Sequence, residues 1–263
     1  MSSEGTTGTT GTRIIALSNQ KGGVGKTTTT INLGACLAEL GFRTLIIDLD
    51  PQANASSGLD INTANLDVTI YEVLLGEATL TDCIEPTAIK NLFVAPSSLH
   101  LAGAELELAG AIGREMRLRR ALNGIDDDYD YILIDCPPSL GLLSVNGLTA
   151  AQEILVPVQC EYFALEGLGQ LLRNVELVRD QLNPQLHLSY IVCTMYARSN
   201  LADQVVAALR SDAELGRFVC QTVIPRQVKL SEAPSFGQPI TTFESTGRGA
   251  AAYRALAKEI TNG

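Results

Sequence analysis

Three glycines, two lysines and two threonines crowd into one short segment, Lys21-Gly22-Gly23-Val24-Gly25-Lys26-Thr27-Thr28. Glycine permits backbone conformations closed to other residues and lets main-chain amides come close to an anion. An apolar run, Ile14-Ile15-Ala16-Leu17, precedes the segment and a helical pattern follows it. A turn placed between strand and helix aims the first N–H groups of the helix, with their partial positive charge, at whatever sits there. This is the chemistry of holding a triphosphate tail: Lys26 reaches the β- and γ-phosphates, and the Thr27 hydroxyl ligates magnesium. The general pattern G-x-x-x-x-G-K-[ST] has its first glycine where this chain has Gln20, and Lys21 adds a second cation at the loop entry. The full G-x-G-x-x-G of dinucleotide-binding folds is absent, which argues against that reading.

Carboxylates follow at strand ends. Ile46-Ile47-Asp48-Leu49-Asp50 closes one apolar run, and alternate strand positions point to one face, so Asp48 and Asp50 can address one site. Tyr131-Ile132-Leu133-Ile134-Asp135 closes another, followed by Cys136-Pro137-Pro138. An acidic residue after a hydrophobic strand is the arrangement that holds magnesium beside a nucleotide, and Asp135 takes that role.

The elements that must position these groups are legible as an alternation. Strands are expected at 13–18, 43–48, 91–95, 131–135, 153–159, 186–193 and 218–224. Helices are expected at 27–40 (stopped by Gly41), after the capping box Thr69–Glu72, and at 164–182 and 250–260. Several strand runs are continuously apolar, as expected for strands covered on both faces. The order predicts an α/β fold with one doubly wound, mostly parallel sheet and helices on both faces, spanning 13–263 behind a Gly/Ser/Thr-rich tail at 1–12.

Composition fits such a core: 46% of the 263 residues are hydrophobic and 18% charged, unlike a disordered chain. The net charge of −10 argues against a uniformly nucleic-acid-coated protein, but it is unevenly spread. Residues 186–263 hold eight Lys and Arg against six Asp and Glu; the remainder holds eleven against twenty-three. The six cysteines form no C-x-x-C and sit in apolar runs, so core thiols of a reduced cytosolic protein are expected rather than a metal site or disulfide framework. The N-terminus lacks a secretory h-region, and no apolar run approaches the ~20 residues of a membrane helix. The arginines Arg114, Arg117, Arg119 and Arg120 cluster near Asp126, Asp127 and Asp128, as plain charge balance.

The loop K-G-G-x-G-K-[ST] resembles the deviant Walker A pattern of the ParA/MinD class of ATPases. Residues 48–54, 135–139, 156–167, 194–196 and 224–237 extend the likeness to ParA-type, Soj-like partition ATPases. The resemblance implies an ATP hydrolase with Mg2+ in which Lys21 reaches across an ATP-dependent homodimer to the partner's nucleotide. Asp50 positions the attacking water, Asp48 supports the magnesium shell, and Met195, Pro225 and Arg226 lie at the adenine. It further implies a cytoplasmic, nucleoid-associated protein that binds double-stranded DNA without sequence preference and is stimulated by a ParB-like partner. Arg198, Arg226, Lys229, Arg248 and Arg254 are the candidate phosphate contacts on DNA. Three other readings are open to weighing. A MinD-like membrane regulator needs a basic amphipathic C-terminal helix, whereas residues 250–263 are Ala-rich with only Arg254 and Lys258 as cations. An iron–sulfur carrier needs paired surface cysteines. A scaffold without turnover would not need Asp48, Asp50 and Asp135 together.

Overall fold

Strands form where apolar side chains can be buried on alternate faces, and here both faces are covered. Ile14 and Ala16 enter one core and Ile15 and Leu17 the other; Ile132 and Ile134 part in the same way from Leu133. The continuous apolar runs are therefore strands between two helix layers, as the sequence suggests. The computed structural model describes residues 11–161 and 164–262. The expected tail thus lies, for residues 1–10, outside the described residues, as do residues 162 and 163 of the family-like stretch 156–167.

The strands are β1 (Arg13–Leu17), β2 (Thr44–Asp48), β3 (Glu85–Pro86), β4 (Leu92–Ala95), β5 (Tyr131–Asp135), β6 (Glu153–Gln159), β7 (His187–Tyr196) and β8 (Val219–Pro225). They form one sheet in the order β3-β4-β2-β5-β1-β6-β7-β8, parallel throughout except β3. β3 is unanticipated by the sequence reading: two residues, one a proline, pairing antiparallel at the edge, where a missing N–H costs no ladder bond. β7 runs three residues past the expected end, with register shifts where it meets β8.

The helices are α1 (Lys26–Glu39), α2 (Asn54–Ser57), α3 (Ile70–Leu75), α4 (Leu80–Cys83), α5 (Leu101–Glu107), α6 (Arg117–Leu122), α7 (Leu142–Ala150), α8 (Ala164–Gln181), α9 (Asn200–Ser211), α10 (Val228–Glu232), α11 (Ile240–Phe243) and α12 (Arg248–Asn262). Gly41, in the left-handed region at φ 99°, follows the end of α1. Thr69 and Glu72 make the expected capping box of α3. α1 and α12 pack on one face, where Tyr253, Leu256, Ala257 and Ile260 are buried. α3, α6, α7 and α8 pack on the other.

β1 lies between β5 and β6, while the chain leaving β1 crosses to β2 beyond β5. The strand order thus reverses beside β1 and opens a crevice at the carboxyl ends of β1, β2 and β5, where ligands of open α/β sheets bind. At the opposite edge the Arg13 guanidinium clamps the sheet: it donates to both Glu153 oxygens (2.7 and 2.8 Å), the Tyr190 hydroxyl (2.8 Å) and the Ile260 carbonyl (2.7 Å).

Candidate nucleotide and magnesium site

The turn after β1 takes its shape from glycine. Gly23 (φ 74°) and Gly25 (φ 87°) are both left-handed, and Gly25 is the N-cap of α1. The turn is pinned from two sides. Asn19, buried, donates from Nδ2 to the Pro157 carbonyl (2.7 Å) and accepts from the Lys21 amide (3.0 Å). The Thr194 hydroxyl at the end of β7 donates to the Val24 carbonyl (2.8 Å). Gly22, exposed, precedes the two left-handed glycines, and Thr28 lies in the first turn of α1.

The two lysines of the turn behave differently. Lys26 is buried (7% exposed) and its ammonium lies 3.4 Å from the Lys21 carbonyl. Burial lowers its pKa, opposed by the negative charges of Asp135 and Asp50 nearby. Lys21 is exposed and pairs with Glu161 at 2.8 Å. The difference suits one cation inside the phosphate cradle and one directed outward.

The carboxylates converge as the sequence suggests. Asp48 and Asp135 are register partners at the ends of neighbouring strands, and both are fully buried. Asp135 accepts from the Thr27 hydroxyl (2.7 Å) and the Thr30 hydroxyl (2.9 Å). Asp48 accepts from the Ser56 amide (2.9 Å), the Ser56 hydroxyl (2.7 Å) and the Asp50 amide (3.1 Å). Burial, and then the neighbouring Asp48, pushes the Asp135 carboxyl up to about 7. Burial likewise pushes Asp48 up to about 6 against its Ser56 hydrogen bonds. Asp50, half-buried, accepts from the Gln52 amide (3.0 Å) and stands at the mouth of the site.

This donor set fits magnesium. Two buried carboxylates face one buried ammonium, a local deficit of positive charge that a divalent cation corrects. Asp135, the Thr27 hydroxyl and Asp48 are hard oxygen donors. Among the described residues no three His, Cys, Asp or Glu side chains form a self-sufficient metal cage. That is the magnesium pattern, with one or two protein ligands and the remaining positions left to phosphate and water.

Ser56, Thr30, Asn19 and Glu161 are absent from the sequence-derived site. Thr30 carried a usable signal, lying one turn after Thr27 on the same helix. Ser56, Asn19 and Glu161 are joined to the site only by tertiary contacts. Met195, at φ 49°, and Pro225 sit at the neighbouring ends of β7 and β8, where Tyr196 pairs with Pro225 and the Arg226 amide donates to the Tyr196 carbonyl (2.9 Å). Arg198, Arg226, Lys229 and Arg248 are exposed. The Gln227 side chain accepts from the Gly249 amide (2.8 Å), so the segments carrying Arg226, Lys229 and Arg248 adjoin. Lys229 pairs with Glu232 (2.8 Å). Arg254 is committed to Glu39 (2.7 Å) and the Ser245 carbonyl (2.6 Å). All six cysteines are buried and free, in keeping with core thiols. No helix of the described residues is long and apolar enough to cross a membrane.

A strand–turn–helix phosphate loop, with acidic strand ends at the reversal of a parallel sheet, defines a P-loop nucleotide-binding ATPase of the two-lysine type. Residues 12–188 match a family model described as an AAA domain. The chain is 52% identical over 249 residues to the sporulation initiation inhibitor protein Soj of Bacillus subtilis, covering 94% of this chain and 98% of that protein. It is 50% identical to the chromosome partitioning protein ParA of Myxococcus xanthus, covering 94% and 87%. The chain belongs to this Soj/ParA family of chromosome-partitioning ATPases, and its ligands are ATP and Mg2+. Among solved structures, that of cobyrinic acid a,c-diamide synthase from Mycobacterium smegmatis with a bound ATP analogue and magnesium superposes with a TM-score of 0.82. It is 40% identical, over 94% of this chain and 93% of that one; its name describes another reaction, and what it shares here is the fold and the ligand class.

Proposed function

We propose that this chain is a DNA-partition ATPase: MgATP joins two copies face to face, the dimer binds DNA without sequence preference, and hydrolysis stimulated by a ParB-like partner releases it. The observation that carries this reading is the division between the two loop lysines. Lys26 is buried in its own cradle, whereas Lys21 is exposed at the loop entry, free to exchange Glu161 for the phosphates of a second copy. A cation delivered in this way stabilises the charge that develops as the γ-phosphoryl group transfers.

In the reaction, Asp50 orients a water whose oxygen bonds to the γ-phosphorus as the bond to the β–γ bridging oxygen breaks, leaving ADP and phosphate. Lys26 and the amides of residues 22–28 hold the phosphate oxygens in place. Thr27 and Asp135, with Asp48 behind them, would hold magnesium, which would supply positive charge against the phosphates. Met195, Pro225 and Arg226 form the adenine side. Arg198, Arg226, Lys229 and Arg248 contact DNA phosphates; Arg254 joins them only by giving up Glu39.

Against the membrane-regulator alternative, the apolar face of α12 is occupied by the core. The deciding experiment measures chain mass by gel filtration and DNA retention with ATP, ADP and no nucleotide, at two salt concentrations, using the parent, Asp50→Ala and Lys21→Ala. Asp50→Ala should accumulate an ATP-dependent dimer that binds DNA less tightly as salt rises. Lys21→Ala should bind nucleotide but lose dimer-dependent turnover. A strictly monomeric Asp50→Ala protein in ATP overturns the proposal.

A further inference from the structure

A larger cavity than the one beside the phosphate loop lies on the other side of the sheet. The space next to Thr27, Thr28 and Ser57 measures about 390 Å³; this one measures about 470 Å³ and opens between α3, α4 and α6. Its walls pack into the core face that carries α3 and α6, not the face that carries α1. Val73, Leu80 and Ile125 supply apolar lining, and Thr79 and Thr81 supply hydroxyl-bearing residues. Its only charged lining residues are Arg117 and Arg120, and no carboxylate lines it, although the chain as a whole carries a net −10.

The arginines are not consumed by the fold. Arg117 donates one terminal nitrogen to the Leu75 carbonyl at 3.3 Å, while its Nε is buried with no partner. A buried donor left unpaired costs free energy comparable to a lost hydrogen bond and calls for an occupant. Arg120 lies over Gly113, and among the described residues it makes no ion pair. Charge balance with nearby acids, the expectation from the sequence, is a matter of net charge; it supplies neither guanidinium with an ion-pair partner among the described side chains.

We propose that the cavity is a second ligand site, for a small molecule with a phosphate or carboxylate head and a compact apolar body. The planar guanidinium forks of Arg117 and Arg120 hold the head, which matches their donor geometry. Val73, Leu80 and Ile125 receive the body. The site is separate from the nucleotide loop and its occupancy does not require an empty loop.

The test uses the full chain saturated with MgADP, so that the phosphate loop is filled before any anionic probe is added. Phenyl phosphate, benzoate and inorganic phosphate are titrated by calorimetry, and amide shifts are followed by NMR. Saturable one-to-one binding is expected, with shifts clustered at residues 73–81 and 117–125; comparing phenyl phosphate with benzoate identifies the preferred head. Arg117→Gln with Arg120→Gln should weaken binding at least about tenfold, and high salt should weaken it in the parent. No saturable binding of any probe, an unchanged affinity in the double variant, or shifts confined to residues 21–28 overturns the proposal. If the double variant does not fold, the shift map of the parent decides alone.

Discussion

Asp135→Asn should make the nucleotide-free protein more stable at neutral pH while weakening its response to magnesium. Asp135 and Asp48 are buried side by side, and burial with mutual repulsion pushes the Asp135 carboxyl up to about 7 from an ordinary 3.8. About three pKa units at 1.36 kcal/mol each sets a ceiling of about 4 kcal/mol for holding this charge in the folded chain. Asparagine removes the charge but keeps the shape. Its oxygen can still accept from Thr30, and the Thr27 hydroxyl can turn to accept from the new amide. The lost attraction to Lys26 and the weaker neutral hydrogen bonds take back part of the gain, leaving about 2 kcal/mol, or roughly 4–8 °C in Tm for a chain of this size.

The sign of the pH dependence follows from linkage. A carboxyl whose folded pKa is raised destabilises the fold fully above that value, and ceases to do so below its unfolded value. The variant's advantage should therefore be complete at pH 8, shrink as pH falls through 7, and vanish near pH 4. Urea unfolding in EDTA across that range measures it. Adding MgADP should reverse the order, because ligand stabilisation grows with affinity and the variant has lost a magnesium-holding oxygen. An Asp135→Asn protein less stable than the parent at pH 8 without metal, or a difference independent of pH, would refute the reasoning.

Three further outcomes are expected. Gly25→Ala should fold normally, since a Cβ there meets only Thr194 at 4.0 Å, but the φ of 87° costs about 1–2 kcal/mol, so nucleotide affinity by calorimetry should drop about tenfold. Thr194→Val should cost about 1 kcal/mol of stability and several-fold in nucleotide affinity by leaving the Val24 carbonyl without its partner. Burial raises the Glu153 carboxyl, but hydrogen bonds and charge from Arg13 outweigh it and hold the group below its ordinary range. Glu153→Gln should accordingly lose about 3 kcal/mol in urea unfolding at neutral pH, a deficit that narrows as acid protonates the parent's Glu153.

The legible part of this molecule is the part written in local patterns. Ile14 to Leu17 and Ile132 to Ile134 announce two-sided strands because every position must be apolar. Lys26, Thr27, Asp48 and Asp135 are legible because sheet topology forces strand ends and helix starts to one edge. Residues whose role comes from a long-range contact are not. Ser56 holds Asp48 from eight residues away across a loop, Thr194 holds Val24 across 170 residues, and nothing in either neighbourhood marks the connection. β3 escaped for a different reason: two residues with a proline carry no period at all. The arginines at 117 and 120 were visible, but no local pattern in the sequence marks that both line one cavity with residues 73–81.

The strain at Asp48 and Asp135 also explains how an occupied site can change a surface. Asp48 is the anchor of the segment that follows it, through the Asp50 amide and both donors of Ser56. Ser56 Oγ accepts in turn from the Ser97 amide (3.0 Å), and Ser98 meets the α3 cap Thr69 at 3.2 Å. A cation beside the pair favours the charged form of Asp48 and so strengthens its hold on residues 50–56; without it, burial and the neighbouring carboxylate oppose that charge. Coupling of this kind would make the order of the Asp50 loop depend on magnesium and nucleotide, where a single well-solvated aspartate would leave it indifferent. Hydrogen exchange at the Ser56 and Ser97 amides, slower with MgADP than with EDTA in the parent but equal in Asp48→Asn, is the outcome this coupling requires.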